Sequence, residues 1–129
     1  LHLPAPSAHE GLREKHFGAV QGVPKNELAE LNPALLEQIL RRNPAAEFVG
    51  GESMDEFADR VIEAIEDIGN RHRGERVLVI THGWVMDVVT RHIAGHARNA
   101  VLHIKRKNGE CVWVAVGKAI QAATDLPAE

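Results

Sequence analysis

The feature that most constrains the fold is an apolar run that ends in a histidine and a glycine and leads directly into a helix. Val77-Leu78-Val79-Ile80 is continuous and mostly β-branched, which is typical of a strand covered on both faces of a parallel sheet. After Thr81-His82-Gly83 the apolar residues recur at helical spacing until Gly95, which predicts a helix over 84–94 with His92 on its inner side. Because ligands of parallel α/β sheets bind beyond the carboxyl ends of the strands, His82 is predicted to lie at a binding site.

The residues around His82 favour an anionic ligand. Gly83 would let a ligand approach the backbone, and the first turn of the helix offers unpaired amides and the positive end of the helix dipole. A phosphate group fits this arrangement. A histidine that merely caps the turn fits the pattern as well, because a single His-Gly pair is a weak motif.

Start and stop signals predict the remaining elements. Asn32-Pro33 begins a short helix that ends before Pro44, and the capping box of Ser53 and Glu56 begins a helix from about Met54 to Ile68 or a little beyond. Asn108-Gly109 predicts a hairpin whose buried face carries Leu102, Ile104, Cys111, Trp113 and Ala115. Helix, parallel strand, helix and hairpin together indicate one α/β domain over 1–129, a three-layer sandwich of a mostly parallel sheet flanked by helices.

Composition excludes several classes of protein. The formal net charge of −3 leaves no polycationic face for nucleic acid or for a membrane surface. The longest apolar run, Cys111 to Val116, is far shorter than the ~20 residues of a membrane-spanning helix. Cys111 is the only cysteine, which favours a reducing compartment, and a cytoplasmic protein is expected.

Glu14 is a candidate general acid. It lies in the structured loop predicted over Leu12 to Gly22, close to Phe17, and a carboxyl beside an apolar ring can have a raised pKa. Taken alone, it could equally be one of eighteen acidic residues in contact with solvent. Gly50-Gly51-Glu52-Ser53 is explained by the helix start at Ser53, and no role is assigned to Glu52.

Three ordered motifs together resemble the histidine phosphatase superfamily, the phosphoglycerate-mutase-like proteins. They are Leu12-Arg13-Glu14-Lys15-His16-Phe17-Gly18, Gly50-Gly51-Glu52-Ser53 and Val77-Leu78-Val79-Ile80-Thr81-His82-Gly83. The resemblance implies that Glu14 is the general acid/base and that His82 is the second histidine, which stabilises the phosphoryl group. It also implies that Gly83 belongs to the phosphate site, that Phe17 walls the substrate side, and that no metal or other cofactor is required.

The sequence departs from the family in two ways. Members begin with a strand that ends in Arg-His-Gly, whose histidine is the nucleophile, and a second arginine follows on a later helix; neither lies in these residues. None of the other seven histidines follows a buried strand. We therefore expect a partial domain that lacks about two N-terminal βα units, on the order of 60 residues. In addition, Trp84 replaces the family's usual glycine, which bears on the shape of the pocket.

The resemblance implies hydrolysis of a small phosphorylated metabolite through a phosphohistidine, with the nucleophile outside this chain. Arg13, Lys25, Arg41 and Arg42 are candidates for a second anionic group of the substrate, although paired arginines also commonly end a solvated helix. Phosphoglycerate-mutase-type transfer and a catalytically inactive anion-binding or interaction module remain alternatives, and a homodimer is left open. A metal site built on His92 and His96 ranks last, because Gly95 is predicted to end the helix between them.

Overall fold

The centre of the fold is a long helix, α3, packed against a second helix, α4. The computed structural model describes residues 3–104 and 107–123. α3 spans Met54–Arg71 and α4 spans Gly83–Ala94. Their apolar faces meet in a core formed by Phe57, Ala58, Val61, Ile65, Trp84, Val85, Val88, Val89 and Ile120. No helix among the described residues is long and apolar enough to cross a membrane.

The ends of α3 and α4 follow the signals in the sequence. The Ser53 hydroxyl accepts a hydrogen bond from the Glu56 amide at 3.1 Å, which confirms the predicted N-cap. α3 ends at Arg71, in agreement with the prediction of a helix that reaches Ile68 or a little beyond. α4 ends at Gly95, whose φ of 72° is the left-handed conformation that glycine adopts most readily. His92 is exposed, so its predicted place on the inner side of α4 is wrong.

Two short helices connect the N-terminal loop to α3. α2 spans Pro33–Leu40 as predicted, and the Asn32 side chain accepts from the Leu35 amide at 3.1 Å. α1, Lys25–Leu31, was not predicted, because it buries only Leu28 and therefore leaves little apolar periodicity. The loop predicted over Leu12 to Gly22 contains the 3-10 helix Gly18–Val20, and another 3-10 helix, Glu10–Leu12, ends where that loop begins.

The hairpin lies further along the chain than predicted. β1, Val114–Val116, pairs with the antiparallel β2, Ile120–Ala122. The turn at Asn108-Gly109 does form, with the Glu110 amide donating to the Lys107 carbonyl at 3.2 Å. No strand pairing flanks that turn in the described part of the chain, and the two residues 105–106 lie outside it.

The face of the hairpin that packs inward is the opposite of the predicted one. Val114, Val116 and Ile120 turn toward the helices, whereas Cys111, Trp113 and Ala115 are exposed and Ile104 is 41% exposed. Of the predicted face, only Leu102 is partly buried. Alternating positions on one strand face opposite sides, so the register against α3 decided which set became buried.

The segment Val77–Ile80 differs most from expectation. It precedes α4 as predicted, but it belongs to no sheet, and Val77, Leu78 and Ile80 are 45%, 65% and 85% exposed. A parallel strand requires neighbouring strands, and the only sheet in the described residues is the distant β1–β2 hairpin. The described residues are therefore helices and one small antiparallel sheet.

Candidate functional site

His82 immediately precedes α4 and is available to a ligand. Its backbone is extended, with φ −122° and ψ 164°, and its carbonyl accepts from the Met86 amide at 3.0 Å. The imidazole makes no capping hydrogen bond to the helix, and the residue is exposed. The simpler interpretation, in which His82 only caps the turn, therefore does not describe this side chain. The first amides of α4 lie beside it and can receive an anion.

Glu14 comes from the distant N-terminal loop to the same helix start. Its Oε1 accepts from the Lys15 amide at 3.1 Å, and its carboxyl group lies close enough to the Trp84 amide, in the first turn of α4, for that amide to lower its pKa. Burial raises the pKa of Glu14 above the ordinary glutamate value; these two amides and the charges of His82 and Arg42 offset only part of that rise. A carboxyl whose pKa is raised keeps its proton to higher pH than an ordinary glutamate, which suits general acid catalysis.

Arg42 is a third charged residue at this site. It follows α2 with a φ of 50°, and its Nε donates to the Asp87 carboxylate on α4 at 2.7 Å. A Cβ on Gly83 would lie 3.3 Å from Arg42 Cδ, so the glycine lets the arginine lie against the helix start. The neighbouring Arg41 instead pairs with Glu37 on the surface of α2, at 2.7 Å. The paired arginines in the sequence gave no sign of which one would turn inward.

Phe17 belongs to an aromatic cluster beneath the site. Its ring centroid lies 5.0 Å from that of Phe48 and 5.8 Å from that of Trp84. Trp84 is only 4% exposed, so its indole is part of the core and does not project toward His82. Trp84 therefore contributes its backbone amide to the site while its side chain supports the loop that carries Glu14.

Glu52, which sequence analysis left without a role, is an anchor of that loop. Its two carboxylate oxygens receive hydrogen bonds from the Arg60 guanidinium at 2.6 and 2.8 Å, and one also accepts from the His16 amide at 2.9 Å. Burial alone would raise the pKa of Glu52, but the hydrogen bonds from Arg60 and His16 outweigh it and hold the pKa below the usual value. The helix start at Ser53 had seemed a sufficient explanation for this motif.

Lys15 is a second buried part of the same loop. It is 2% exposed, its ammonium donates to the Glu52 carbonyl, and it lies 4.8 Å from the centre of the Phe48 ring. Burial lowers the pKa of Lys15, although the nearby carboxylates of Glu52 and Glu56 oppose that shift. Its side chain therefore serves packing between the loop and residues 48–52, and it points away from solvent.

The metal alternative gains no support from the described residues. His92 and His96 line the same shallow cavity near the carboxyl end of α4, together with Arg91 and Arg98. No group of three or more histidine, cysteine or acidic side chains that could hold a metal ion occurs within the described ranges.

Several known proteins are similar to this chain in sequence. The sequence model of the histidine phosphatase superfamily, branch 1, matches residues 3–124. The chain is 37% identical over 99 residues to a metal-independent phosphoserine phosphatase of Arabidopsis thaliana, covering 72% of this chain and 42% of that protein. It is 27% identical over 123 residues to the probable phosphoglycerate mutase GpmB of Photorhabdus laumondii, covering 89% of this chain and 57% of that protein.

A solved structure is similar to this chain in fold. Bacillus stearothermophilus YhfR superimposes with a TM-score of 0.73 at 25% identity, over 89% of this chain and 58% of that one. The chain spans about half the length of the curated relatives it matches. The family match covers nearly all of the chain and includes Glu14, His82 and Gly83. The chain belongs to the histidine phosphatase superfamily, branch 1.

Proposed function

We propose that this chain forms the acid and phosphate-stabilising part of a phosphatase that hydrolyses small phosphomonoesters through a phosphohistidine. The observation that carries the proposal is the meeting of Glu14 with His82 at the start of α4: the Thr81 hydroxyl donates to the Leu12 carbonyl at 3.0 Å, and Glu14 lies close enough to His82 and to the Trp84 amide for both to lower its pKa. A general acid and an anion-binding helix terminus are the two parts that phosphoryl transfer needs besides a nucleophile. The nucleophilic histidine is proposed to come from outside residues 1–129.

The proposed reaction has two steps. In the first, a neutral imidazole attacks phosphorus, the phosphorus–oxygen ester bond breaks, and protonated Glu14 gives its proton to the departing alkoxide. In the second, the Glu14 carboxylate takes a proton from water, which attacks phosphorus and releases phosphate from the histidine. Throughout, His82 and the first amides of α4 stabilise the equatorial oxygens of the phosphoryl group.

Arg42 and Phe17 have proposed roles in substrate binding. The Arg42 guanidinium lies against Gly83, and its ion pair with buried Asp87 fixes its orientation at the edge of the phosphate site. It can therefore receive a second anionic group of the substrate or share in holding the phosphoryl group. Phe17 is half-buried beside Trp84, and its exposed edge would wall the substrate side.

The proposed complete fold is a three-layer sandwich with a mostly parallel sheet. In it, Val77–Ile80 would be an inner strand flanked by strands from outside residues 1–129, which would cover its exposed side chains. His82 would then lie at the carboxyl end of a central strand, beside the nucleophile. The single cysteine, Cys111, favours a reducing compartment, and we place the activity in the cytoplasm.

A mutase-type transfer is the second candidate, because several matched relatives are named as probable phosphoglycerate mutases or as mutase-like. The 37% identity to a protein named as a phosphoserine phosphatase extends over 99 residues, against 76 residues for the mutase-like relative of equal identity, and this longer match favours hydrolysis. Release of inorganic phosphate from phosphoserine supports the phosphatase, whereas isomerisation of 3-phosphoglycerate without phosphate release supports the mutase.

The decisive experiment compares leaving groups, in a protein that joins residues 1–129 to the segment proposed to supply the nucleophile. An alkoxide needs a proton to depart and p-nitrophenolate does not, so Glu14→Gln should reduce kcat for phosphoserine far more than for p-nitrophenyl phosphate. His82→Ala is the matched contrast: it should reduce kcat for both substrates by about 10²-fold or more, since it removes a contact to the phosphoryl group itself. Equal losses on both substrates in Glu14→Gln would exclude Glu14 as the acid.

A further inference from the structure

We infer that Arg60, locked by Glu52, is the positioning residue that holds Glu14 against the start of α4. The inference rests on the proposed function, because it concerns how the proposed acid is kept in place. Arg60 does not touch the Glu14 carboxylate. It acts on the backbone of the loop that carries it.

The loop is held through consecutive carbonyl groups. Arg60 Nη1 donates to the carbonyls of Gly11 and Arg13, each at 2.9 Å, and Nη2 donates to the carbonyl of Glu14 at 3.4 Å. The carbonyl between them, on Leu12, accepts from the Thr81 hydroxyl at 3.0 Å. Every carbonyl from Gly11 to Glu14 therefore accepts a hydrogen bond from a side chain. Thr81, which immediately precedes His82, links this loop to the start of α4.

The Arg60 guanidinium is itself held rigidly. Its remaining N–H groups form the bidentate pair with Glu52, and both side chains are largely buried, at 14% and 15% exposure. The guanidinium also lies 4.9 Å from the centre of the Phe57 ring, and Phe57 is fully buried in the core. All five donors of the guanidinium thus have acceptors, and only arginine offers that planar arrangement.

Glu52 extends the anchor beyond Glu14. Its carboxylate accepts from the His16 amide, and its carbonyl accepts from the Lys15 ammonium. The Arg60–Glu52 pair therefore restrains the loop on both sides of Glu14: Arg60 binds backbone carbonyls before it, and Glu52 binds the His16 amide after it. A shift of about 1 Å in a catalytic group can cost on the order of 10²-fold in rate, so a loop bearing a general acid needs such restraint.

The test uses Arg60→Lys, which keeps the positive charge and removes the planar fork. We expect kcat for phosphoserine to fall by about 10- to 10²-fold with little change in KM, while p-nitrophenyl phosphate keeps most of its rate. Glu52→Gln should give a smaller loss with the same leaving-group preference. The control is Arg98→Lys: Arg98 pairs with Asp55 and Asp59 on the same helix, and its loss should leave both rates unchanged.

A second measurement needs no turnover and uses the same joined protein as the kinetic test. In ¹⁵N–¹H NMR, the Trp84 amide should shift as Glu14 titrates, because the Glu14 carboxyl group lies beside that amide. Arg60→Lys should abolish that response and Arg98→Lys should keep it. If Arg60→Lys does not fold, Glu52→Gln carries both measurements.

The outcomes separate the two proposals. The proposed function would be overturned if the wild-type protein lacked phosphatase activity, or if Glu14→Gln lost equal fractions of kcat on both substrates. The NMR measurement would then decide whether Arg60 positions Glu14. A leaving-group preference in Glu14→Gln that Arg60→Lys does not share, or a retained Trp84 response in Arg60→Lys, would overturn the inference about Arg60. Equal losses on both substrates in Arg60→Lys would also overturn it, since they indicate a general structural defect.

Discussion

At the scale of single residues, the two glutamates of the site have opposite pKa shifts. Burial raises the pKa of Glu14, so ionising this carboxyl lowers the free energy of unfolding. That cost is absent at pH values below the ordinary glutamate pKa and is complete above the raised pKa. The pKa of Glu52 is lowered although burial opposes the shift, because its hydrogen bonds with Arg60 and His16 prevail. Its stabilisation is complete above the ordinary pKa and is lost as the pH falls through the lowered one.

This difference predicts opposite effects of two matched substitutions on thermal stability. Glu14→Gln should raise Tm at pH 7, and the gain should shrink as the pH falls toward about 4. Glu52→Gln should lower Tm at pH 7, and its deficit should shrink in acid. Circular dichroism melts from pH 4 to 8 measure both, with exposed Glu63→Gln on α3 as control. A Glu14→Gln variant that is less stable than wild type at pH 7 would contradict the assigned cost of burying this carboxylate.

At the scale of elements, α3 organises the molecule by presenting different residues to different neighbours. One face builds the core with α4, and Arg60 holds the loop before Lys15. Near its carboxyl end, Gly69 lies under β1. A Cβ there would be 2.4 Å from Val116 Cγ1, so the glycine allows the strand to approach the helix.

Gly69→Ala therefore tests the contact between α3 and β1. In a free helix the change would stabilise by roughly 0.5–1 kcal/mol, because alanine is the better helix former. Here we expect a net destabilisation of about 1–3 kcal/mol from overpacking against Val116. Urea unfolding measures the free energy, and Glu66→Ala, at an exposed position of the same helix, should change it little. A stabilised Gly69→Ala would mean that β1 does not pack on α3 as described.

At the scale of the whole molecule, we expect the exposed segment Val77–Ile80 to control association. Three of its side chains are at least 45% exposed on a backbone outside any sheet, and such apolar segments pair readily with another chain. We expect residues 1–129 alone to form dimers or larger assemblies and to release no phosphate above background. Joining them to the segment proposed to supply the nucleophile should restore both a single species and turnover.

Size-exclusion chromatography with a phosphate-release assay checks this prediction. Leu78→Lys with Ile80→Lys should shift the chain toward a monomer. Leu31→Lys should leave the elution unchanged, since Leu31 is 72% exposed on α1, apart from that segment. A monomeric or active wild-type chain would contradict the prediction.

The sequence by itself determined the features that depend on local chemistry. Caps and helical spacing placed α2, α3 and the end of α4, because these signals act within a few residues. The three ordered motifs were sufficient to identify the family, which the match over residues 3–124 confirmed.

Only the tertiary structure decided the features that depend on a partner distant in the chain. Sequence spacing does not show that Arg60 binds the carbonyls of Gly11 and Arg13, or that Arg42, and not Arg41, meets Asp87. The inward face of the hairpin depended on its register against α3. The apolar run Val77–Ile80 is exposed because no strand within residues 3–104 and 107–123 pairs with it. A residue's type sets what it can bind, whereas packing determines which partner comes within reach.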